Sequence, residues 1–258
     1  MKIQSIIIIS MLGLIVQCKK NETQKVEKVK LLIAENIYDL SGNIKLNIFS
    51  DSTFIFNVFE PGFNYEKIEK FNGRCYQKKD TIYFTPFEFE YNDSEKAVIK
   101  NNFIEFVGGK FPLKIEIKEN KLKSISSLNF EKYKDYAIFS FDQNFYSPTY
   151  YDYKPNTIKA VDLDQNDLIK VDKILKKCFS ENRLNLKDFN NYVKQCITVM
   201  NSKNEKEVWI SLYCKDYSIN KEYKYSTIRM NDGGNCNINL KINLTKENYS
   251  ELNIAGEA

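Results

Sequence analysis

The sequence predicts an α+β protein in two parts, an antiparallel β-barrel or sandwich followed by one helix laid on an antiparallel sheet. Three observations predict it. From residue 31 to residue 127, short apolar–polar alternations recur about every ten residues between turn signals. A single window of helical period then runs over residues 164–181. After it the alternation returns and lasts to the C-terminus, most clearly at Val208, Ile210 and Leu212.

In the first part, Ile44, Leu46 and Ile48 alternate with polar residues, Asp51-Ser52 turns the chain, and Phe54, Phe56 and Val58 keep the same parity. Pro61-Gly62 breaks that run. Residues 71–76 and 80–84 form the next pair, joined through Gln77-Lys78-Lys79. Ala97 and Ile99 lead through Asn101-Asn102 to Ile104 and Phe106, and Gly108-Gly109 separates these from Leu113, Ile115 and Ile117. Strands this short and evenly spaced suit a barrel or a sandwich.

Residues 130–153 are dense in aromatic side chains, ten in all from Phe130 to Tyr153. They form either a stacking platform for a glycan or protein partner, or packing in the seam between two domains. At Asp164 a helix begins. Asp164 is its cap, and Asp167 sits three residues on, at the positive end of the dipole. Leu168, Val171, Ile174, Leu175 and Cys178 then follow at helical spacing with lysines between them. Strands are expected at 192–200, 207–214, 223–230, 236–244 and 249–254, with Asp232-Gly233-Gly234-Asn235 as a hairpin turn in which glycine takes positive φ. The same four residues offer backbone N–H groups to an anion, and Asp232 a ligand to a cation. Trp209, the only tryptophan, falls on the parity opposite Val208 and Ile210, and a covering by the N-terminal domain is expected.

Composition excludes several functions. The chain has 258 residues, enough for one large or two ordinary domains, and a formal charge of +4 with both signs interspersed. No basic run has the footprint of a nucleic-acid binder. Histidine is absent, which removes Ser-His-Asp and Cys-His catalysis and His-ligated metals. Any catalysis rests on carboxylates, tyrosine, lysine or a bare thiol, and no cofactor or metal is predicted. Glu88 and Glu90 share a strand face, but a glycosidase pair flanks its bond from opposing positions, so a solvent face accounts for them better.

The chain opens with Lys2 ahead of an uncharged apolar run of about a dozen residues, the length of a signal h-region and short of the about 20 needed to span a bilayer. It ends at Gln17-Cys18, followed by Lys19-Lys20-Asn21-Glu22. This arrangement resembles the lipobox of bacterial lipoproteins, in its relaxed Bacteroidota form, since Gln17 stands where Gly, Ala or Ser is usual. The resemblance implies lipidation of Cys18 with palmitate-type chains and a place in the cell envelope, at the outer membrane, on the periplasmic or surface side. Acyl chains contribute about 0.8 kcal/mol per buried CH₂, so two or three hold a protein at a membrane.

Five further cysteines are Cys75, Cys178, Cys196, Cys214 and Cys236, an odd number in a compartment that permits disulfides. Cys214 and Cys236 share the apolar parity of their strands and form the expected pair, with buried thiols as the alternative.

The order of strands and turns in the first part is similar to the lipocalin-like domains of small Bacteroidota lipoproteins. The sequence Tyr192-x-x-Gln195, Glu-Val-Trp-Ile-Ser-Leu-Tyr-Cys at 207–214, Asp-Gly-Gly-Asn-Cys at 232–236 and Lys-Ile-Asn-Leu at 241–244 resembles a family of secreted or lipid-anchored Bacteroidota proteins. That resemblance implies a habitat and a fold but no catalytic residue. Asp51-Ser52 and Asp80-Thr81-Ile82 resemble the Bacteroidota O-glycosylation site, with Ser52 and Thr81 as acceptors.

The expected organisation is a signal peptide at 1–17, a tether at 18–30, a β domain at 31–129, an aromatic-rich connector at 130–157 and an α+β domain at 158–258. The expected function is a non-enzymatic module that binds an envelope protein or a glycan at the membrane. A carboxylate-dependent hydrolase of glycan or peptide and an inhibitor or immunity protein are the alternatives.

Overall fold

Alternation of apolar and polar residues closes the first part of the chain into a barrel. The computed structural model describes residues 28–38, 42–62, 66–85, 92–122, 128–146, 148–215 and 222–256. Eight antiparallel strands follow one another: β1 (Lys30–Tyr38), β2 (Gly42–Phe49), β3 (Thr53–Pro61), β4 (Glu66–Lys78), β5 (Thr81–Thr85), β6 (Lys96–Lys100), β7 (Phe103–Val107) and β8 (Leu113–Asn120). Each pairs with the next, and β1 returns to β8 through Ala34↔Ile117. Closure removes the open edges that a flat sheet exposes.

All eight strands send side chains into one core, in which Phe84 stacks on Phe106 at 5.7 Å and Phe54 meets Phe84 edge-on at 5.0 Å. Apolar residues fill the barrel interior, whereas the interior of a membrane-spanning barrel is polar. Beyond the last β1–β8 pair, Ala34↔Ile117, the buried Asn36 side chain takes the place of backbone pairing. Its amide donates to the Lys114 carbonyl at 2.6 Å and its oxygen accepts from the Glu116 N–H at 2.9 Å. Among the described residues, no helix is long and apolar enough to cross a membrane.

The second part is a six-stranded sheet with one long helix. Its elements are β9 (Tyr136–Ser140), α1 (Pro148–Tyr151), β10 (Lys159–Ala160), α2 (Gln165–Glu181), β11 (Tyr192–Met200), β12 (Lys206–Cys214), β13 (Asn237–Asn243) and β14 (Asn248–Ile254). The strands run β10-β11-β12-β13-β14, with β9 on the same edge of β11 as β10. Helix α2 starts in a full capping box. The Asp164 carboxylate accepts from the Asp167 N–H at 2.9 Å, and the Asp167 carboxylate accepts from the Asp164 N–H at 3.1 Å. Its buried stripe, Leu168 to Phe179, lies on Cys196, Val208, Ile210, Leu212 and their neighbours.

Three expectations need correction. The sheet is not wholly antiparallel, because β9 pairs in parallel with β11 from Lys194↔Tyr136 to Thr198↔Ser140. The stretch read as a connector therefore supplies a strand. Residues 223–230 form no strand: a 3₁₀ turn at Glu222–Lys224 leads into a coil across the sheet. The Gln195 amide holds that coil, donating to the Tyr223 and Ser226 carbonyls and accepting from the Ile228 N–H. Finally, the rings of residues 130–153 fill the domain seam only in part: Phe130, Tyr136, Phe145 and Tyr146 line hollows shared with barrel residues, and Phe139 meets Lys114. Phe141, Tyr146, Tyr151 and Tyr153 cover the sheet face opposite α2.

Candidate ligand site at the domain junction

Barrel strands β7 and β8 lie against β9 of the second sheet, so outward barrel residues become buried. Glu105 and Lys114 are cross-strand partners on this outer face, 7% and 2% exposed. Glu105 accepts from the Ser140 N–H at 2.7 Å and the Ser140 hydroxyl at 3.0 Å. The Lys114 ammonium donates to the Ile138 carbonyl and lies 4.4 Å from the ring centres of both Phe103 and Phe139. Burial lowers its pKa to about 8, against the upward pull of Glu105 and with the repulsion of Lys100. Lys100 extends the seam, donating to the Ser140 hydroxyl at 3.3 Å and pairing with Asp162.

Beside this clamp opens a cleft of about 380 Å³ between the two parts. The barrel contributes Asn101, Asn102, Phe103, Lys114 and Glu116, and the second part contributes Phe130, Glu131, Lys134, Tyr136 and Lys224. Glu116 pairs with Lys118 at 2.5 Å and accepts from the Tyr225 hydroxyl at 3.4 Å. Tyr136 anchors the cleft wall to α2, donating to Asp172 at 2.8 Å, and its burial pushes the phenol well above the usual range. The arrangement offers ring faces, amides and charges of both signs, as a site for a polar or zwitterionic ligand does.

A second buried lysine, Lys194, points under α2. It donates to the Phe189 and Tyr192 carbonyls at 3.1 and 2.9 Å and lies 4.0 Å from the Phe189 ring centre. Burial lowers it to about 8 as well, with Asp135 pulling upward. With its donors on backbone carbonyls inside the helix–sheet core, it ties the 3₁₀ turn at Phe189–Asn191 to β11.

The residues singled out in the sequence do not gather at this cleft. Cys18, Glu88 and Glu90 lie outside the described residues. Ser52 is exposed in the β2–β3 turn at φ 62°, and Thr81 opens β5, half-buried, with its hydroxyl 3.3 Å from the Asp80 carboxylate. Cys214 and Cys236 are joined in a disulfide, and the Lys187 ammonium lies 2.9 Å from Cys236 Sγ. Cys75, Cys178 and Cys196 are buried thiols, and burial raises Cys75 to about 11 and Cys196 to about 12. Such thiols are poor nucleophiles.

Asp232–Asn235 is not the expected hairpin turn, because no strand leads into it: Gly234–Cys236 form a 3₁₀ turn into β13, Gly233 takes φ 110°, and a Cβ there would meet Met230 Sδ at 2.8 Å. The N–H groups of Gly234 and Cys236 donate to the Gly256 and Gly233 carbonyls, which argues against an anion nest. Trp209 is buried, though not by the barrel. Tyr151 and Tyr153 stack on it at 4.9 and 5.4 Å, and Phe141 meets it edge-on at 5.6 Å.

Sequence reasoning missed Glu105 and Lys114. Their parity marks them as outward, and no local signal shows that another domain covers them. Comparison with known protein families, with curated proteins and with solved structures returns no match for this chain.

Proposed function

We propose that this chain is a lipid-anchored protein of a bacterial envelope, held through Cys18, whose two-part body binds a ligand or partner in the junction cleft. The cleft itself carries the reading: a concavity with Phe103, Phe130 and Tyr136 on its walls and Lys114, Lys134, Lys224, Glu116 and Glu131 around it. The buried Lys114 amine is tied to the Ile138 carbonyl between two rings, an arrangement suited to holding the walls in place. Binding is therefore favoured over catalysis.

Two experiments test the two halves of this reading. Cys18→Ala should release the full chain from the membrane fraction and abolish the mass added by lipidation. A variant that stays membrane-bound with unchanged processed mass rules out the anchor. For the cleft, an envelope pull-down with the full chain is compared with a Lys134→Glu/Lys224→Glu variant. The reading requires a component captured by the parent and lost from the variant, and identical captures reject it.

A hydrolase reading is favoured by one observation, that Glu116 and Glu131 share the aromatic-walled cleft. Hydrolysis of envelope glycan or peptide that survives Glu116→Gln and Glu131→Gln undiminished would eliminate it.

A further inference from the structure

The sheet carries a second concavity, remote in the fold from the junction cleft and built from different strands. It has a volume of about 400 Å³ and lies over β12, β13 and β14 on the face opposite α2. Three adjacent strands set Ser211, Asn239 and Asn253 side by side across its floor, since Ser211 pairs with Asn239 and Asn239 with Asn253 in register. The Ser211 hydroxyl is 2.7 Å from the Asn239 side-chain oxygen. Tyr151 and Trp209, stacked at 4.9 Å, form one wall.

The charges here disfavour an anionic ligand. Lys241, the ammonium on the lining, pairs with Glu251 at 2.8 Å, and Asp152 stands at the rim. A bulge in β14 aims Glu251 at it: the register shifts between Asn239 and Lys241, and Glu251 takes φ 55°. Bulges re-aim side chains beside binding sites.

The Trp209 ring is 3% exposed, with Tyr151 and Tyr153 stacked on it and Phe141 at its edge, so it backs the wall and is itself closed to a ligand.

We propose that this groove binds a neutral oligosaccharide. Adjacent hydroxyl and amide groups match the paired hydroxyls of a sugar, and the half-buried Tyr151 ring, backed by Trp209, accepts the apolar face of a pyranose ring. The proposal does not depend on the junction cleft.

Trp209 is the only tryptophan, so its fluorescence reports this groove alone. The full chain in detergent is titrated with neutral hexasaccharides (cello-, malto-, xylo-, manno- and chito-series), with a hexauronic acid and with an extended octapeptide of neutral residues. The expected result is a saturable shift in Trp209 emission with at least one neutral sugar. Asn253→Ala and Ser211→Ala should each weaken it about tenfold, as loss of one or two hydrogen bonds does. Asn253 is exposed on the edge strand, so Asn253→Ala is read only after its circular dichroism and melting match the parent. No shift with any neutral sugar overturns the proposal. So does a shift that both variants leave unchanged, or one produced more tightly by the uronic acid or the peptide.

Discussion

Lys114 gives a pH test of the domain junction. Its pKa falls from 10.5 to about 8 because burial penalises the ammonium. Below pH 8 both folded and unfolded chains hold the proton, and the full desolvation cost opposes folding. As pH rises through 8 toward 10.5, the folded chain releases the proton while the unfolded chain keeps it. Stability contributed by this residue therefore increases with pH. Between pH 7 and 9 the change amounts to about one factor of ten, or about 1.4 kcal/mol. Lys114→Met keeps the stem between Phe103 and Phe139 and removes the titration. The cross-strand Glu105 keeps its two hydrogen bonds from Ser140. Urea unfolding of parent and variant at pH 7, 8 and 9 yields the difference at each pH. Lys194, lowered to about 8, and the raised thiols of Cys75, Cys178 and Cys196 act equally in both proteins and cancel. The parent should gain about 1.4 kcal/mol on the variant over this range. Parallel profiles would show that Lys114 is solvated and that the junction is open in solution.

Other perturbations have expected outcomes of their own. Cys236→Ser opens a link across 22 residues and should cost about 3 kcal/mol in denaturant unfolding; the same midpoint in parent and variant would mean the bond is not formed. Phe106→Ala removes the ring stacked on Phe84 in the barrel core and should cost about 3–5 kcal/mol, read from urea midpoints. Asp164→Ala breaks the capping box of α2 and should cost about 1 kcal/mol, whereas a change within error would mean that water replaces the cap.

The elements legible in the sequence are those whose signal is local. Ile44 to Ile48 and Phe54 to Val58 alternate because one face of each strand meets the barrel core, and that period is written into adjacent residues. Helix α2 was legible in the same way, through its stripe and its Asp164 cap. Strand β9 was not. Tyr136 to Phe139 are buried on both faces, so they show no alternation and read as part of an aromatic run. Residues 223–230 misled in the opposite sense, since Tyr223 and Tyr225 alternate as a strand does. They cover a sheet face while β13 takes the β12 edge, and Gln195, far away in sequence, supplies their hydrogen bonds.

By itself the sequence determined the class of each half, the start of the helix and the exclusion of histidine chemistry, because period, capping and composition act within a few residues. Only the tertiary structure decided where a ligand can sit. Glu105 and Lys114 are outward polar residues until β9 packs over them, and Ser211, Asn239 and Asn253 lie on three strands far apart along the chain. Burial and juxtaposition depend on which surfaces meet, and that is settled by packing between elements rather than by the pattern within any one of them.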